Sequence, residues 1–141
     1  MREKESIPRS ERLLRRLRAG QFAGPQVFPE AIDLRGSSCD REAYRRPEDL
    51  VTLEWPGVGY TTDEKLPTAI APSSAPGPPT WDFFAVDAPE LLNEAHCEIR
   101  LRRTGRVEEE NDTSAINKRP RLLREELKAA LSASMRVVLP E

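Results

Sequence analysis

The chain is poor in the residue types from which reactive centres are most often built. Its 141 residues include a single histidine, His96, and two cysteines, Cys39 and Cys97, which are far apart in the sequence. A structural zinc site needs four ligands, mostly cysteine and histidine, with closely spaced cysteine pairs. We therefore expect no metal site, no cofactor, and two reduced thiols of the kind found in cytoplasmic proteins.

Long apolar runs and complete catalytic motifs are also missing. No stretch approaches the run of about 18 apolar residues that crosses a bilayer, and the N-terminal segment lacks the uninterrupted apolar core of a secretion signal. Phosphate-binding loops, dinucleotide fingerprints and the Gly-x-Ser-x-Gly turn of hydrolases do not occur. The sequence predicts a cytoplasmic protein without a membrane segment.

The composition is typical of a polar domain with long loops. Hydrophobic residues make up 38% of the chain and charged residues 33%, and there are 13 prolines. The length fits a single domain over residues 1–141. Five of the prolines fall within residues 66–80, which we predict to be an exposed loop between two strands.

Alternating apolar and polar residues predict the strands. The alternation is clearest over residues 95–103, where every second residue is apolar. Residues 51–55 alternate in the same way, with the apolar side chains predicted to face inward. Residues 81–87 form the most apolar segment, which we expect at the centre of the sheet. Residues 135–139 are predicted to form a final edge strand.

Two segments have the spacing of helices. Leu13 and Leu17 stand one helical turn apart among arginines, and Gly20 follows where helices often stop. After Pro120, leucines recur at every fourth position, which predicts an amphipathic helix. Together the patterns predict an α+β fold: a small, mostly antiparallel sheet, a C-terminal amphipathic helix and a short arginine-rich N-terminal helix.

The predicted strand over residues 95–103 decides which side chains can act with His96. In that register His96, Glu98 and Arg100 share one face, whereas Cys97 points to the other. One interpretation is a small enzyme in which His96 and Glu98 act as acid and base and Arg100 binds an anion. The simpler interpretation is a solvated strand face with cross-strand ion pairs. Cys39 is predicted to lie in an exposed loop.

The predicted N-terminal helix is too short to be stable undocked. Its leucines need a surface, which is either the body of the chain or a second protein. The candidate partner-binding residues are Arg12, Leu13, Arg16 and Leu17. Because no catalytic set is complete, the leading hypothesis is a non-enzymatic accessory or binding subunit that acts through a protein partner.

Arginine clusters near both ends favour nucleic-acid binding as a further alternative, since such clusters neutralise phosphates. The first comprises Arg9, Arg12, Arg15, Arg16 and Arg18, and the second Arg100, Arg102, Arg103, Arg106, Lys118, Arg119 and Arg121. The net charge of the chain is nevertheless −2, and aromatic residues are not interleaved with the arginines for base stacking. The simpler interpretation is that the arginines pair with the acidic middle of the chain.

Three short segments, residues 10–16, 44–49 and 93–99, read SERLLRR, YRRPED and NEAHCEI. Together they resemble a group of small uncharacterised bacterial proteins in which an arginine-rich start and an Asn-x-Ala-His-x-Glu segment recur over most of the length. The group has no activity that could be transferred to this chain. The resemblance favours a role for His96 and implies nothing more.

Overall fold

The computed structural model describes residues 1–106 and 116–141. The strands are β1 (Arg12–Leu17), β2 (Phe22–Ala23), β3 (Gln26–Val27), β4 (Ser37–Arg41), β5 (Gly57–Thr62), β6 (Trp81–Asp87), β7 (His96–Arg103) and β8 (Arg136–Leu139), and the helix α1 spans Arg121–Ala133. Six strands form one antiparallel sheet in the order β6-β7-β4-β1-β5-β8, and β2 pairs with β3 in a small separate hairpin. The predicted α+β fold with a mostly antiparallel sheet is confirmed.

The main core lies between the inner face of the sheet and α1. The helix buries Leu123, Leu127 and Leu131, one from each turn, as its amphipathic pattern predicts. They join Leu17 and Ile99 from the sheet in one cluster. Among the described residues, no helix has the length and apolar character needed to span a bilayer.

The N-terminal helix prediction is wrong, because the segment forms β1, a central strand. β1 pairs with β5 along its whole length and with β4 at Leu13 and Leu14. Residues four apart share a face in a strand as well as in a helix, so the spacing of Leu13 and Leu17 did not distinguish the two. Both leucines face the main core, while Leu14 packs against Leu50 and Val58 on the other face.

Two further strand predictions need correction. Residues 51–55 form a bend, not a strand, and Leu53 is fully exposed. The neighbouring strand is β5, which lies between β1 and β8. Its first three residues, Gly57, Val58 and Gly59, are buried. β6 exists as predicted but lies at one edge of the sheet, beside β7 only. The predicted edge strand near the C-terminus is confirmed as β8.

The proline-rich segment 66–80 follows the free edge of β6. The main chains of Ile70 and Trp81 exchange two hydrogen bonds of 2.8 and 3.0 Å, and the N–H of Phe83 donates to Pro67 O at 2.9 Å. Asp82 accepts a further hydrogen bond from the N–H of Ala69 at 2.7 Å. These bonds occupy polar groups that an edge strand otherwise offers to another chain.

A buried ion-pair network ties the N-terminal segment to the sheet. The side chain of Arg41 in β4 is 3% exposed and lies 2.6 Å from Glu5 and 2.7 Å from Glu11. Asp87, at the end of β6, accepts a hydrogen bond from Arg2 at 2.7 Å and lies 3.4 Å from Arg41. The network therefore joins three separate parts of the chain.

Candidate functional site

A cleft of about 240 Å³ opens on the outer face of the sheet, the face opposite α1. We call it the His96 cleft. Its lining residues include Arg15, Arg16, Ser38, Asp40, Trp55, Asn93 and His96. The antiparallel register of β4 with β7 places Asp40 opposite His96 and Ser38 opposite Glu98. Directly opposed residues share a face of a sheet, so these polar side chains gather on one side.

Two hydrogen bonds fix the His96 ring. Nδ1 lies 2.8 Å from the carbonyl oxygen of Ala88, and Nε2 lies 3.3 Å from Ser38 Oγ. A carbonyl oxygen only accepts, so in the neutral ring Nδ1 carries the proton. Nε2 is then the acceptor for the Ser38 hydroxyl. This tautomer is the one in which a histidine can take a proton from a serine.

Asp40 and Asn93 form the floor of the cleft beside the ring. Asp40 is buried, and its Oδ1 accepts a hydrogen bond from the Asn93 amide at 2.7 Å. Arg45 and the main-chain N–H of Ala95 both donate to Asn93 Oδ1, at 3.1 and 3.2 Å. Asn93 is therefore held from two sides and orients the Asp40 carboxylate.

The three residues proposed as a catalytic set lie on one strand face, but the structure does not bring them together. In β7, Cys97, Ile99 and Leu101 are buried, and the residues between them are half-buried on the opposite face. Glu98 accepts a hydrogen bond from Arg100 at 3.0 Å, and neither residue lines the His96 cleft. The ring of His96 instead lies 3.4 Å from Glu90 Oε1 and 3.3 Å from Ser38 Oγ, and Asp40 stands opposite it on β4. Only the register of β4 with β7 could have indicated Ser38 and Asp40.

The cysteines lie on the inner face. Cys39 belongs to β4 and stands directly opposite Cys97, and both are buried and free. The prediction of an exposed loop for Cys39 is wrong, because the polar residues around it pair with β7. Burial raises the pKa of Cys39 to about 12 and raises that of Cys97 far above its usual range. The raised pKa values disfavour the thiolate, which is the nucleophilic form of cysteine.

The candidate partner-binding residues do not form one surface. Leu13 and Leu17 are fully buried in the chain's own core and offer nothing to a partner. Arg12 forms a two-pronged pair with Glu42, with both hydrogen bonds at 2.6 Å. Arg16 is exposed and lines the His96 cleft. Of the four, Arg16 is the residue placed to meet another molecule.

Several arginines of the two clusters are engaged within the chain. Arg9 lies 3.6 Å from Asp63, and Arg18 lies 3.1 Å from Glu54 and stacks over Trp55 at 4.3 Å. In the second cluster, Arg121 pairs with Glu125, Arg102 lies over the Phe84 ring and Arg119 over the Trp81 ring. These contacts favour intramolecular pairing over a continuous phosphate-binding surface.

Two loops that contribute lining residues to the His96 cleft carry exposed apolar side chains. One loop contributes Val51 and Leu53, just before Trp55; the other contributes Leu91 and Leu92, just before Asn93. Leu53, Leu91 and Leu92 are between 82% and 105% exposed. These four residues, the apolar rim, include most of the large hydrophobic side chains that are exposed in residues 1–106 and 116–141.

Comparison with protein-family models found no match to this chain. Comparisons with curated proteins and with solved structures likewise found no match. Within the described residues, no group of three or more histidine, cysteine, aspartate or glutamate side chains is arranged to hold a metal ion. The case for a function therefore depends on the geometry of the chain itself.

Proposed function

We propose that the protein is a non-enzymatic binding subunit that holds a segment of a protein partner at the His96 cleft and the apolar rim. The observation that carries the proposal is the rim itself. Exposed apolar side chains that cluster around a concave site are typical of protein interaction surfaces. Covering exposed leucines on two loops that line one cleft removes apolar surface from water and so favours binding of a partner.

The cleft indicates which kind of segment would fit. Its volume of about 240 Å³ lies below the range of about 300 to 1,000 Å³ that is usual for small-molecule sites. A cleft of this size accommodates a single side chain of a partner protein. Arg16 supplies an exposed positive charge at the wall, and Arg18 stacks on Trp55 and holds that ring in place. Because the cleft is lined both by Arg16 and by the Asp40 carboxylate, the best match is a polar side chain flanked by apolar residues.

The test is a combined variant, Leu53→Ser, Leu91→Ser and Leu92→Ser, compared with Leu122→Ser. Leu122 is 64% exposed on α1, so its replacement removes a leucine from the surface without touching the rim. Each tagged protein is used to capture interacting proteins from extracts of its source cells, with the amounts measured by mass spectrometry. We expect a partner captured by the wild type and by Leu122→Ser to be reduced at least tenfold with the combined variant. Equal capture by all three proteins would contradict the proposal.

A second candidate is a small enzyme in which His96 acts as the base. The hydrogen bond between Ser38 Oγ and His96 Nε2 favours Ser38 as its partner in place of Glu98, which is paired with Arg100. A fluorophosphonate probe separates the two candidates. Covalent labelling of Ser38 in the wild type, lost in His96→Gln, would support the enzyme; an unlabelled Ser38 supports the binding subunit.

The proposal includes a cytoplasmic location. Its support is the pair of free thiols, Cys39 and Cys97, which face each other on adjacent strands. Reduced cysteines so placed are typical of proteins kept in a reducing compartment.

A further inference from the structure

A second cavity, on the side of the sheet that carries α1, has the character of an anion site. It measures about 440 Å³ and lies between α1 and the chain segment 30–35. We call it the α1 cavity; its charged lining residues are Arg15, Arg35, Arg124, Lys128, Glu30 and Asp33. The charged lining of the cavity therefore consists of four cationic and two acidic side chains.

The side chain of Arg124 carries a buried donor. Its Nε is fully buried and has no hydrogen-bond partner among residues 1–106 and 116–141. A buried polar group of a charged side chain is costly to leave unsatisfied, and such groups often mark the place of a bound ion or ligand. An anion seated in the α1 cavity would offer acceptors to the guanidinium of Arg124, which lines the cavity.

The position of Arg124 on α1 is unfavourable without an anion. The first turn of the helix carries no acidic residue, although the N-terminal end of a helix favours negative charge. Lys128 lies one turn after Arg124, and like charges four residues apart on a helix repel each other. A bound anion would relieve both effects, since it would lie against the two cations at once.

The cations of the opposite wall are held in place. Arg15 donates hydrogen bonds to the carbonyl oxygens of Ala31, at 2.7 and 3.0 Å, and of Ser38, at 2.7 Å. Carbonyl groups fix its position without cancelling its charge. Asp33, by contrast, is hydrogen-bonded by Arg35 at 3.1 and 3.2 Å. Once that pair is set aside, the described lining residues Arg15, Arg124 and Lys128 face one further carboxylate, that of Glu30.

We propose that the α1 cavity binds the phosphoryl group of a small phosphorylated molecule. A tetrahedral dianion accepts hydrogen bonds from several directions, which suits a guanidinium and an ammonium on one wall and a second guanidinium on the other. The α1 cavity and the His96 cleft lie on different sides of the sheet and share one lining residue, Arg15.

The experiment is calorimetric titration of the full-length protein with inorganic phosphate at constant ionic strength, where the phosphate is mainly dianionic. We expect binding near one phosphate per chain, weakened at least tenfold in Arg124→Gln/Lys128→Gln. Lys65→Gln removes one positive charge, as Lys128→Gln does, but at an exposed position outside the cavity. It should bind phosphate as the wild type does. Lys128→Gln alone, expected to bind at least threefold more weakly, covers the case in which the double variant does not fold.

A parallel titration with succinate tests whether a phosphoryl group is preferred over another dianion. Succinate should bind at least threefold more weakly than phosphate. Equal affinity for the two dianions, or equal affinity of the wild type and Lys128→Gln for phosphate, would overturn the proposal. Absence of phosphate binding to the wild type would overturn it as well.

Discussion

Replacing Asp87 with asparagine is expected to lower the free energy of unfolding by about 3 kcal/mol. The Asp87 side chain is 1% exposed and accepts hydrogen bonds from Arg2 and from the main-chain N–H of Glu5. Asparagine keeps the volume but removes the charge. The buried guanidinium of Arg41, 3.4 Å away, then loses one of its three acidic partners, and a buried charge with too few partners is strongly destabilising.

Urea unfolding at neutral pH measures the effect, with Asp63→Asn as the matched control. Asp63 pairs with Arg9 at 3.6 Å, but the Arg9 side chain is exposed and that of Asp63 is only half-buried, so its replacement should change the free energy by less than about 0.5 kcal/mol. If the two variants have equal stability, the network around Arg41 does not hold the N-terminal segment as described.

The same pair of proteins gives a prediction for pH. Burial opposes the ionisation of Asp87, but hydrogen bonds from Arg2 and Glu5 and the charges of Arg2 and Arg41 outweigh it and lower the Asp87 pKa. A lowered pKa in the folded state stabilises the fold above the ordinary value of 3.8, and this stabilisation is lost as the pH falls toward the folded value. The stability difference between wild type and Asp87→Asn should therefore shrink below about pH 4.

Replacing Leu17 with alanine should lower the free energy of unfolding by about 3 kcal/mol, the usual cost of a cavity in a packed core. Leu17 ends β1 and is fully buried. Arg16→Gln, at the exposed neighbouring position, should change the free energy by less than about 0.5 kcal/mol. Chemical denaturation of the isolated protein gives both values.

This comparison distinguishes a strand from a surface helix. On an exposed helix that docks to a partner, Leu17 would be in water in the isolated protein, and its truncation would leave the stability unchanged. If the segment forms β1, the loss of stability caused by Leu17→Ala is seen in the isolated protein, without any partner. A Leu17→Ala variant as stable as Arg16→Gln would show that the segment does not pack as β1.

The parts of the fold that the sequence predicted are those with an unambiguous period. β7 alternates over eight residues, and a period of two fits no helix, so strand and buried face were both predicted. α1 shows buried leucines at 123, 127 and 131, and the exposed Glu125 would share their face in a strand but not in a helix. The strand β1 was not predicted, because the spacing of Leu13 and Leu17 fits the period of a helix as well as that of a strand. In addition, both faces of β1 are covered, so the consecutive residues Leu13 and Leu14 are both buried and the alternation is lost.

The site was harder to predict because it depends on pairing register. Nothing near His96 in the sequence indicates Ser38 or Asp40; they meet because β4 lies against β7 with Asp40 opposite His96. The strand prediction for residues 51–55 was wrong because apolar and polar residues can alternate in a bend as well as in a strand. The apolar rim has one local signal, the adjacent Leu91 and Leu92 in a polar loop, which cannot both point inward from an extended chain.

The most direct test of the central claim, that the His96 cleft and its apolar rim bind a protein partner, is hydrogen exchange of the free protein and of the captured complex. The claim predicts slower exchange in the complex within residues 51–56 and 88–96, with α1 unchanged. Slower exchange confined to α1 or to another surface, with both rim loops exchanging as in the free protein, would contradict it.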